Sequence, residues 1–297
     1  MLKHRLALGP LLIGGLVLVV WADEFVRANW NVAGAVFGPA LILLALAAAR
    51  ELGKIYRAQG VTISTPMTGL AIAIGLAASG TTPAELRGYS GIAIVCTAGA
   101  LVLVTSMVFY SRNQTTDGVV ASASATMLAF VYIGLLGGFL VVLLKDHSGW
   151  VMLGVILVAK SCDIGAYFTG LAIGKHKLIP WLSPGKTWEG LFGGMATSAL
   201  VGMLASWILM RWGETTLTLT LWQGAALGAT FGLVGQAGDL VASILKRDAG
   251  IKDYSRAIPG FGGMMDIADS PLLVAPVAYW LLLLVGNTQN QATILQP

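Results

Sequence analysis

Carboxylate side chains are concentrated towards the C-terminal end of this sequence. Five of its nine aspartates lie within about thirty residues, namely Asp239, Asp248, Asp253, Asp266 and Asp269. A solvated charged loop is one explanation for such a run. Asp239, however, falls in the last turns of an apolar stretch, as Asp163 does in an earlier one. An unpaired carboxylate is costly there unless it meets a cation or a metal ion, and intramembrane carboxylates usually serve function.

The residues that follow Asp239 are spaced for a helix. Ser243 comes four positions later, and Lys246 and Arg247 follow at seven and eight. A continuing helix would place all four on one face, so that a carboxylate, a hydroxyl and two cations are presented together. Such a face suits the binding of a phosphorylated substrate.

A second acidic pair precedes the last apolar stretch. Asp266 and Asp269 are three positions apart, so they would share a face near a helix N-terminus. Carboxylates that converge from two helix ends form an oxygen-rich site, and Mg²⁺ prefers carboxylates, water and substrate phosphates as ligands. We therefore expect a magnesium site that draws on these aspartates.

A glycine-rich segment, P-G-F-G-G at residues 259–263, lies between the two acidic groups. Glycine lets the backbone approach a ligand closely, and the N–H groups at a helix start attract anions. Taken alone, the segment is more typical of a plain turn. Phosphate binding is the better account with the basic residues just upstream: Lys246, Arg247, Lys252 and Arg256.

Another polar stretch, residues 174–190, carries Lys186 and Glu189 at a spacing of three. These two side chains could simply pair across a helix start. His176 is more typical of a surface residue than of a catalyst.

The elements that must position these residues are apolar and long. Among 297 residues, 56% are hydrophobic and 11% are charged, against roughly 25% charged in soluble domains. A spanning helix needs about 20 apolar residues. The sequence therefore predicts an all-α protein, a polytopic transmembrane helical bundle with about nine spans. The expected spans are 6–22, 32–49, 67–80, 92–110, 119–144, 150–171, 191–210, 221–240 and 271–286.

The basic residues predict the orientation of these spans. With the N-terminus in the cytoplasm, 13 of the 18 basic residues lie inside and four outside, while Lys160 falls within a span. We expect an integral protein of the cytoplasmic (inner) membrane, with its active site facing the cytoplasm. No cleavage site follows the first stretch, so we read it as a retained span.

The same distribution excludes other classes. The basic residues are not interleaved with aromatic residues on a soluble surface, so nucleic acid is not an expected partner. Cys96 and Cys162 lie inside apolar stretches and form no disulfide or metal framework. We divide the chain into N-terminal transmembrane helices, 1–115, and catalytic transmembrane helices with cytoplasmic polar loops, 116–297.

Two stretches follow a specific pattern. Residues 243–253 read S-I-L-K-R-D-A-G-I-K-D, and residues 259–270 read P-G-F-G-G-M-M-D-I-A-D-S. This resembles the signature of the phosphatidate cytidylyltransferases, S-x-x-K-R-x-x-x-x-K-D and then P-G-H-G-G-x-x-D-R-x-D. The stretches 163–168, 183–190 and 238–240 also match, so the resemblance covers roughly the C-terminal half.

The resemblance implies transfer of CMP from CTP to phosphatidic acid, giving CDP-diacylglycerol and pyrophosphate. The partners would be CTP, phosphatidic acid and membrane lipid, the cofactor Mg²⁺, and a homodimer is compatible with the family. The expected catalytic residues are Asp239, Asp266, Lys246 and Arg247. The expected metal ligands, or supports for them, are Asp239, Asp266, Asp269, Asp253 and Asp163. The expected substrate-binding residues are Lys186, Ser243, Lys252, Arg256, Gly260, Gly262 and Gly263.

The chain departs from the pattern at three positions. Phe261 stands where the family has histidine, Ile267 where it has arginine, and Gly185 where lysine is common. Neither Phe261 nor Ile267 can donate a proton or clamp a phosphate. Every acidic position remains, so we expect an active enzyme.

Two other classes fit part of the sequence. A secondary transporter would also have many spans and intramembrane charges, but its ionisable residues should line a path through the bilayer. Here they gather towards one face, which favours an enzyme acting on a lipid head group. A CTP-dependent lipid kinase is the alternative within enzymes.

Overall fold

The computed structural model describes residues 2–80, 89–212, 217–255, 257, 258, 260 and 262–294. Helices make up most of this part, as predicted, and the described strands form one two-stranded hairpin. The elements are α1 (Leu2–Trp30), α2 (Phe37–Ala58), α3 (Thr65–Gly80), α4 (Tyr89–Ser111), α5 (Val119–Ala129), a π-helical segment (Phe130–Leu135), α6 (Leu136–Asp146), α7 (Gly149–Ile173), β1 (Lys177–Ile179), β2 (Ser183–Thr187), α8 (Trp188–Trp212), α9 (Leu221–Asp248) and α10 (Met264–Ile294).

Seven helical stretches in the described part are long and apolar enough to cross a membrane. They comprise α1, α4, the continuous rod from α5 to α6, and α7 to α10. The two remaining predicted spans coincide with α2 and α3. Helix α3 has only 16 residues, and the second half of α2 carries four charged side chains, so neither meets that standard. The polytopic helical class is confirmed, and the count of nine stays a prediction.

Helix α2 begins at Phe37 rather than at residue 32, so the predicted start of this span was wrong. The buried Asp23 carboxylate accepts hydrogen bonds from the backbone N–H groups of Gly34, Val36 and Phe37 at 2.8–3.0 Å. These contacts hold the preceding residues in a turn, in which Gly34 has a φ of 83°. A side chain of α1 thus sets where α2 starts.

The connection between the last two predicted spans, 221–240 and 271–286, is shorter in the structure. Helix α9 continues to Asp248 and α10 already begins at Met264, so only residues 249–263 connect them. The predicted start of the last span at residue 271 was therefore seven residues late. Asp239 consequently lies nine residues before the end of α9, instead of in its last turn. The other polar loop also differs, because β1 and β2 form a hairpin there.

Two compact units are present. The first comprises residues 1–142 and 246–267, and the second comprises residues 143–245 and 268–297. Within the first, α3 meets the π-helical segment so closely that a Cβ on Gly75 would lie 2.8 Å from Gly134 Cα. Within the second, Gly202, Gly224 and Gly228 bring α8 and α9 into backbone contact. Small residues permit this close approach of helices in lipid.

Candidate functional site

The hairpin of the second unit positions Lys186. Strand β2 pairs antiparallel with β1, with Ile179 opposite Ser183. The first turn of α8 fixes the base of the hairpin. There the Glu189 carboxylate accepts the backbone N–H groups of Lys175 and His176 at 3.1–3.2 Å, and lies 2.6 Å from His176 Nδ1. Glu189 therefore anchors the hairpin rather than pairing with Lys186.

Lys186 instead meets Asp239 of α9. Its Nζ lies 2.6 Å from Asp239 Oδ2, and both side chains are largely buried. The nitrogen is shielded from solvent and makes no well-directed hydrogen bond to a described residue, so the contact is a charge pair. The structure thus brings together two residues that the sequence assigned to phosphate and metal binding.

Lys160 of α7 joins two further aspartates of the same unit. Its Nζ lies 3.5 Å from Asp163 Oδ2, 3.3 Å from Asp269 Oδ1 and 3.2 Å from Ser270 Oγ. Asp269 is almost fully buried, and Ser270 donates to it through its backbone N–H and its hydroxyl. Sequence reasoning placed Lys160 in a span and gave it no role. The sequence feature that could have pointed to Lys160 is its position three residues before Asp163 within an apolar stretch, since such a pair shares a helix face.

Gln236 is a second residue that the sequence reading missed. It is buried on α9, three positions before Asp239, and its amide nitrogen donates to Asp163 Oδ1 at 2.7 Å.

The charge of Asp239 is close enough to act on both Lys160 and Asp163. We call the two lysines and three aspartates of this unit the lysine–aspartate cluster. Its members are Lys160, Asp163, Lys186, Asp239 and Asp269.

The donor set of this cluster fits a divalent cation. Three carboxylates and two ammonium groups leave a formal charge of −1, and Asp163 and Asp239 are each about one-third exposed. Among the described residues, no three side chains of His, Cys, Asp or Glu form a complete metal-ligand group. Mg²⁺ does not need one, because it usually takes one or two carboxylates and completes its shell with water and substrate phosphates.

The first unit holds Asp266, another of the predicted metal-binding aspartates, in the first turn of α10. Its Oδ1 accepts from Lys246 Nζ at 2.8 Å, and its Oδ2 accepts from the backbone N–H groups of Gly263 and Tyr254 at 2.8 and 3.0 Å. Lys246 and Asp266 are both buried. Asp266 therefore stabilises the helix start as an N-terminal carboxylate, in addition to any role towards a ligand.

The loop between α9 and α10, residues 249–263, requires its glycines. Ile258 and Gly262 exchange two backbone hydrogen bonds, which closes a tight turn. Gly260 and Gly262 have φ values of 85° and 94°, which favour glycine. We call residues 249–263 the motif loop. Arg256 and Phe261 lie outside the described residues.

The other predicted residues occupy separate positions. Arg247 donates to the backbone carbonyl of Ile251 at 3.0 Å and so holds the end of α9. Lys252 and Asp253 are exposed in the motif loop, and Ser243 is buried on α9. Of the five predicted metal-binding aspartates, Asp163, Asp239 and Asp269 belong to the second unit, while Asp253 and Asp266 belong to the first.

The fold and these charged groups define a polytopic membrane protein with lysine and aspartate side chains buried among its spans. The chain matches the model of the cytidylyltransferase family over residues 3–285. It belongs to that family.

Individual relatives agree with this assignment. A Mycobacterium bovis protein named phosphatidate cytidylyltransferase is 36% identical over 206 residues, which are 67% of this chain and 63% of the relative. The matched region thus covers less than two thirds of that relative. Relatives of the same name from Synechocystis and Staphylococcus epidermidis are each 30% identical. They are matched over 86% and 92% of this chain and over 90% and 92% of their own lengths.

Proposed function

We propose that this protein is a phosphatidate cytidylyltransferase, which transfers CMP from CTP to phosphatidic acid. The observation that carries the proposal is the lysine–aspartate cluster, since it places Lys160 and three carboxylates in apolar helices of a cytidylyltransferase-family chain, with Lys186 of the hairpin against one of them. Buried charges of this kind are costly in a membrane and mark functional sites. The relatives carry the name of this activity.

The proposed reaction is balanced without a redox partner. An oxygen of the phosphatidate phosphate attacks the α-phosphorus of CTP, a new P–O bond forms, and the bond from the α-phosphorus to the bridging oxygen breaks. Pyrophosphate leaves with the electron pair. The nucleophile is already anionic, so positioning and charge neutralisation matter more than a general base.

The residues divide into two proposed roles. Lys186 and Lys246 would neutralise phosphate oxygens, with Arg247 and Lys252 adding positive charge on the same stretch of chain. Asp239 and Asp163 would hold Mg²⁺, with Asp269 kept in place by Lys160. The metal ion would neutralise phosphate charge as pyrophosphate departs. Lys186 now pairs with Asp239, and we expect it to turn towards phosphate when CTP and the metal ion bind.

The substrates define how the site must be reached. Moving acyl chains into water costs about 0.8 kcal/mol per CH₂ group, so phosphatidic acid must react while embedded in the bilayer. CTP is highly charged and must arrive from water. We propose entry of CTP from the cytoplasm, in the inner membrane, and lateral entry of the lipid. A homodimer would be compatible with both routes.

Labelled CTP tests the proposal directly. Purified protein is incubated with phosphatidic acid, Mg²⁺ and CTP that is labelled at either the α- or the γ-phosphate. A cytidylyltransferase gives a lipid-soluble product from the α-label alone and releases the γ-label as pyrophosphate. A CTP-dependent lipid kinase would instead put the γ-label into lipid.

Controls separate the remaining alternative. Omitting phosphatidic acid must abolish the lipid-soluble cytidine product. A transporter would produce neither labelled lipid nor pyrophosphate, so an absence of both with folded protein contradicts the proposal. Cytidine detected in lipid only when phosphatidic acid is present supports it.

A further inference from the structure

Glu51 of α2 contacts the signature region from outside it. Its side chain is buried, and it belongs to the same compact unit as the motif loop. Its Oε1 accepts hydrogen bonds from the backbone N–H of Met264 at 2.9 Å and from Ser255 Oγ at 2.7 Å. Its Oε2 accepts from the backbone N–H of Met265 at 3.0 Å. No motif in the sequence points to this residue.

These contacts satisfy the start of α10. The first N–H groups of a helix have no partner inside the helix, and a buried carboxylate beside them is stabilised by hydrogen bonds and by the helix dipole. Here the carboxylate comes from a helix more than 200 residues earlier in the chain. Glu51 also fixes the motif loop through Ser255, so one side chain holds both sides of the turn.

Gly263 shows how closely this carboxylate approaches the backbone. A Cβ at position 263 would lie 2.5 Å from Glu51 Oε2 and 2.6 Å from Oε1. A Cβ there would displace the Glu51 carboxylate from its hydrogen bonds, so this contact, and not the φ of residue 263, favours glycine. The backbone N–H of Gly263 in turn donates to Asp266 at 2.8 Å. Glu51 and Asp266 thus hold adjacent N–H groups of the same helix start.

We infer that Glu51 is a positioning residue for the cytidylyl transfer, acting by fixing the first turn of α10 and thereby the Asp266 carboxylate, which holds Lys246, the side chain proposed to neutralise phosphate. The inference rests on the proposed function. Asp266 is held by Lys246 and by the backbone N–H groups of Tyr254 and Gly263, so its orientation depends in part on the backbone at residues 263–265. Loss of the Glu51 contacts frees that backbone, so the transition state should suffer more than CTP binding.

The test compares Glu51→Gln with Asp23→Asn in purified full-length protein. Glutamine keeps the size of the side chain but turns one acceptor oxygen into a donor, which faces the backbone N–H of Met264 or of Met265 whichever way the amide is turned. Asp23 is a matched control, because it is also a buried carboxylate of the first unit that accepts three backbone N–H groups. Its partners lie between α1 and α2, outside the motif.

Two measurements are made on each variant. Hydrogen exchange of the segment 255–265 should rise at least tenfold in Glu51→Gln and stay unchanged in Asp23→Asn, which should instead raise exchange at residues 34–37. The kcat of Glu51→Gln should fall at least tenfold while the KM for CTP changes less than threefold. Asp23→Asn should keep its kcat within about twofold per folded protein. Equal losses in both variants would mean general destabilisation and would overturn the inference.

A double substitution checks that the two positions act together. Gly263→Ala should lower kcat strongly in the native protein. In a Glu51→Ala protein the same change should lower kcat much less, relative to Glu51→Ala alone, because the truncated side chain leaves room for the methyl group. Additive losses would contradict the contact. If the native protein makes no cytidine lipid, the proposed function fails, while the exchange data still decide whether Glu51 fixes the segment.

Discussion

Lysines in this protein are placed as counter-ions for buried aspartates. Lys160 lies between Asp163 and Asp269, and Lys186 lies against Asp239. Removing one partner of a buried ion pair typically costs about 3–5 kcal/mol, because the other charge is left uncompensated. The arrangement therefore makes the two lysines as important for the folded state as for any ligand.

Lys160→Met should lower the stability of the protein in detergent, because it leaves the nearly buried Asp269 without its cation. We expect a loss of about 3 kcal/mol in the free energy of unfolding. Thermal unfolding in detergent measures it, with Lys160→Arg as the charge-preserving control. Adding Asp269→Asn should restore part of the loss, since the uncompensated charge is then gone. A Lys160→Met protein as stable as the native one would show that the pair contributes nothing.

Asp239→Asn should weaken the response to Mg²⁺. The substitution removes one of the two partly exposed carboxylates assigned to the metal ion, so we expect kcat to fall by on the order of a hundredfold and half-maximal activity to need more Mg²⁺. The assay is cytidine incorporation into lipid across a magnesium titration. Native protein should lose activity in chelator and regain it on adding Mg²⁺. Undiminished activity in chelator would rule out the metal assignment.

Helices in this fold are held together by glycine contacts as well as by charge. In the second unit, a Cβ on Gly202 would overlap the backbone carbonyl oxygen of Gly224, and one on Gly228 would overlap that of Ser198. Such contacts cannot be relieved by rotating a side chain. They fix the distance between α8, which follows the Lys186 hairpin, and α9, which carries Asp239.

Gly202→Val should therefore disrupt the packing of α8 against α9. We expect poor recovery of folded protein and loss of activity in whatever folds, because the branched side chain must push the two backbones apart. Size-exclusion chromatography in detergent and the incorporation assay measure the two effects. Gly154→Val is the matched control, since a Cβ at Gly154 meets nothing within 4 Å. Similar recovery of both variants would contradict this view of the packing.

The whole chain is an integral membrane protein with long apolar helices and polar connections. The asymmetry of its basic residues, 13 against four, is the basis for placing the N-terminus in the cytoplasm. The polar hairpin and the motif loop would then each face the cytoplasm, the side from which we propose that CTP arrives.

Cysteine labelling tests this orientation. With Cys96 and Cys162 replaced by alanine, we expect Lys177→Cys and Lys252→Cys to react with an impermeant thiol reagent only from the cytoplasmic face. Both positions are exposed. Asp146→Cys, also exposed, is the control for the opposite face. Labelling of positions 177 and 252 from outside intact cells would invert the proposed topology.

The sequence determined the helical membrane class, the family and the residues of the signature, because long apolar stretches and fixed polar spacings are local features of the chain. Lys186, Lys246, Asp239 and Asp266 could be named from their order alone. Helix ends were harder to predict from the sequence, since the start of α2 depends on Asp23 of another helix.

Only the tertiary structure decided which charged groups meet. Lys160 and Asp269 are 109 positions apart, and Glu51 and Met265 are 214 apart. No periodicity connects such residues, because their contact depends on which helices pack together and at what depth. Burial then determines how much each contact matters energetically. An ammonium or carboxylate group that is excluded from water must find its partner within the protein, and the packing of the helices decides which partner that is.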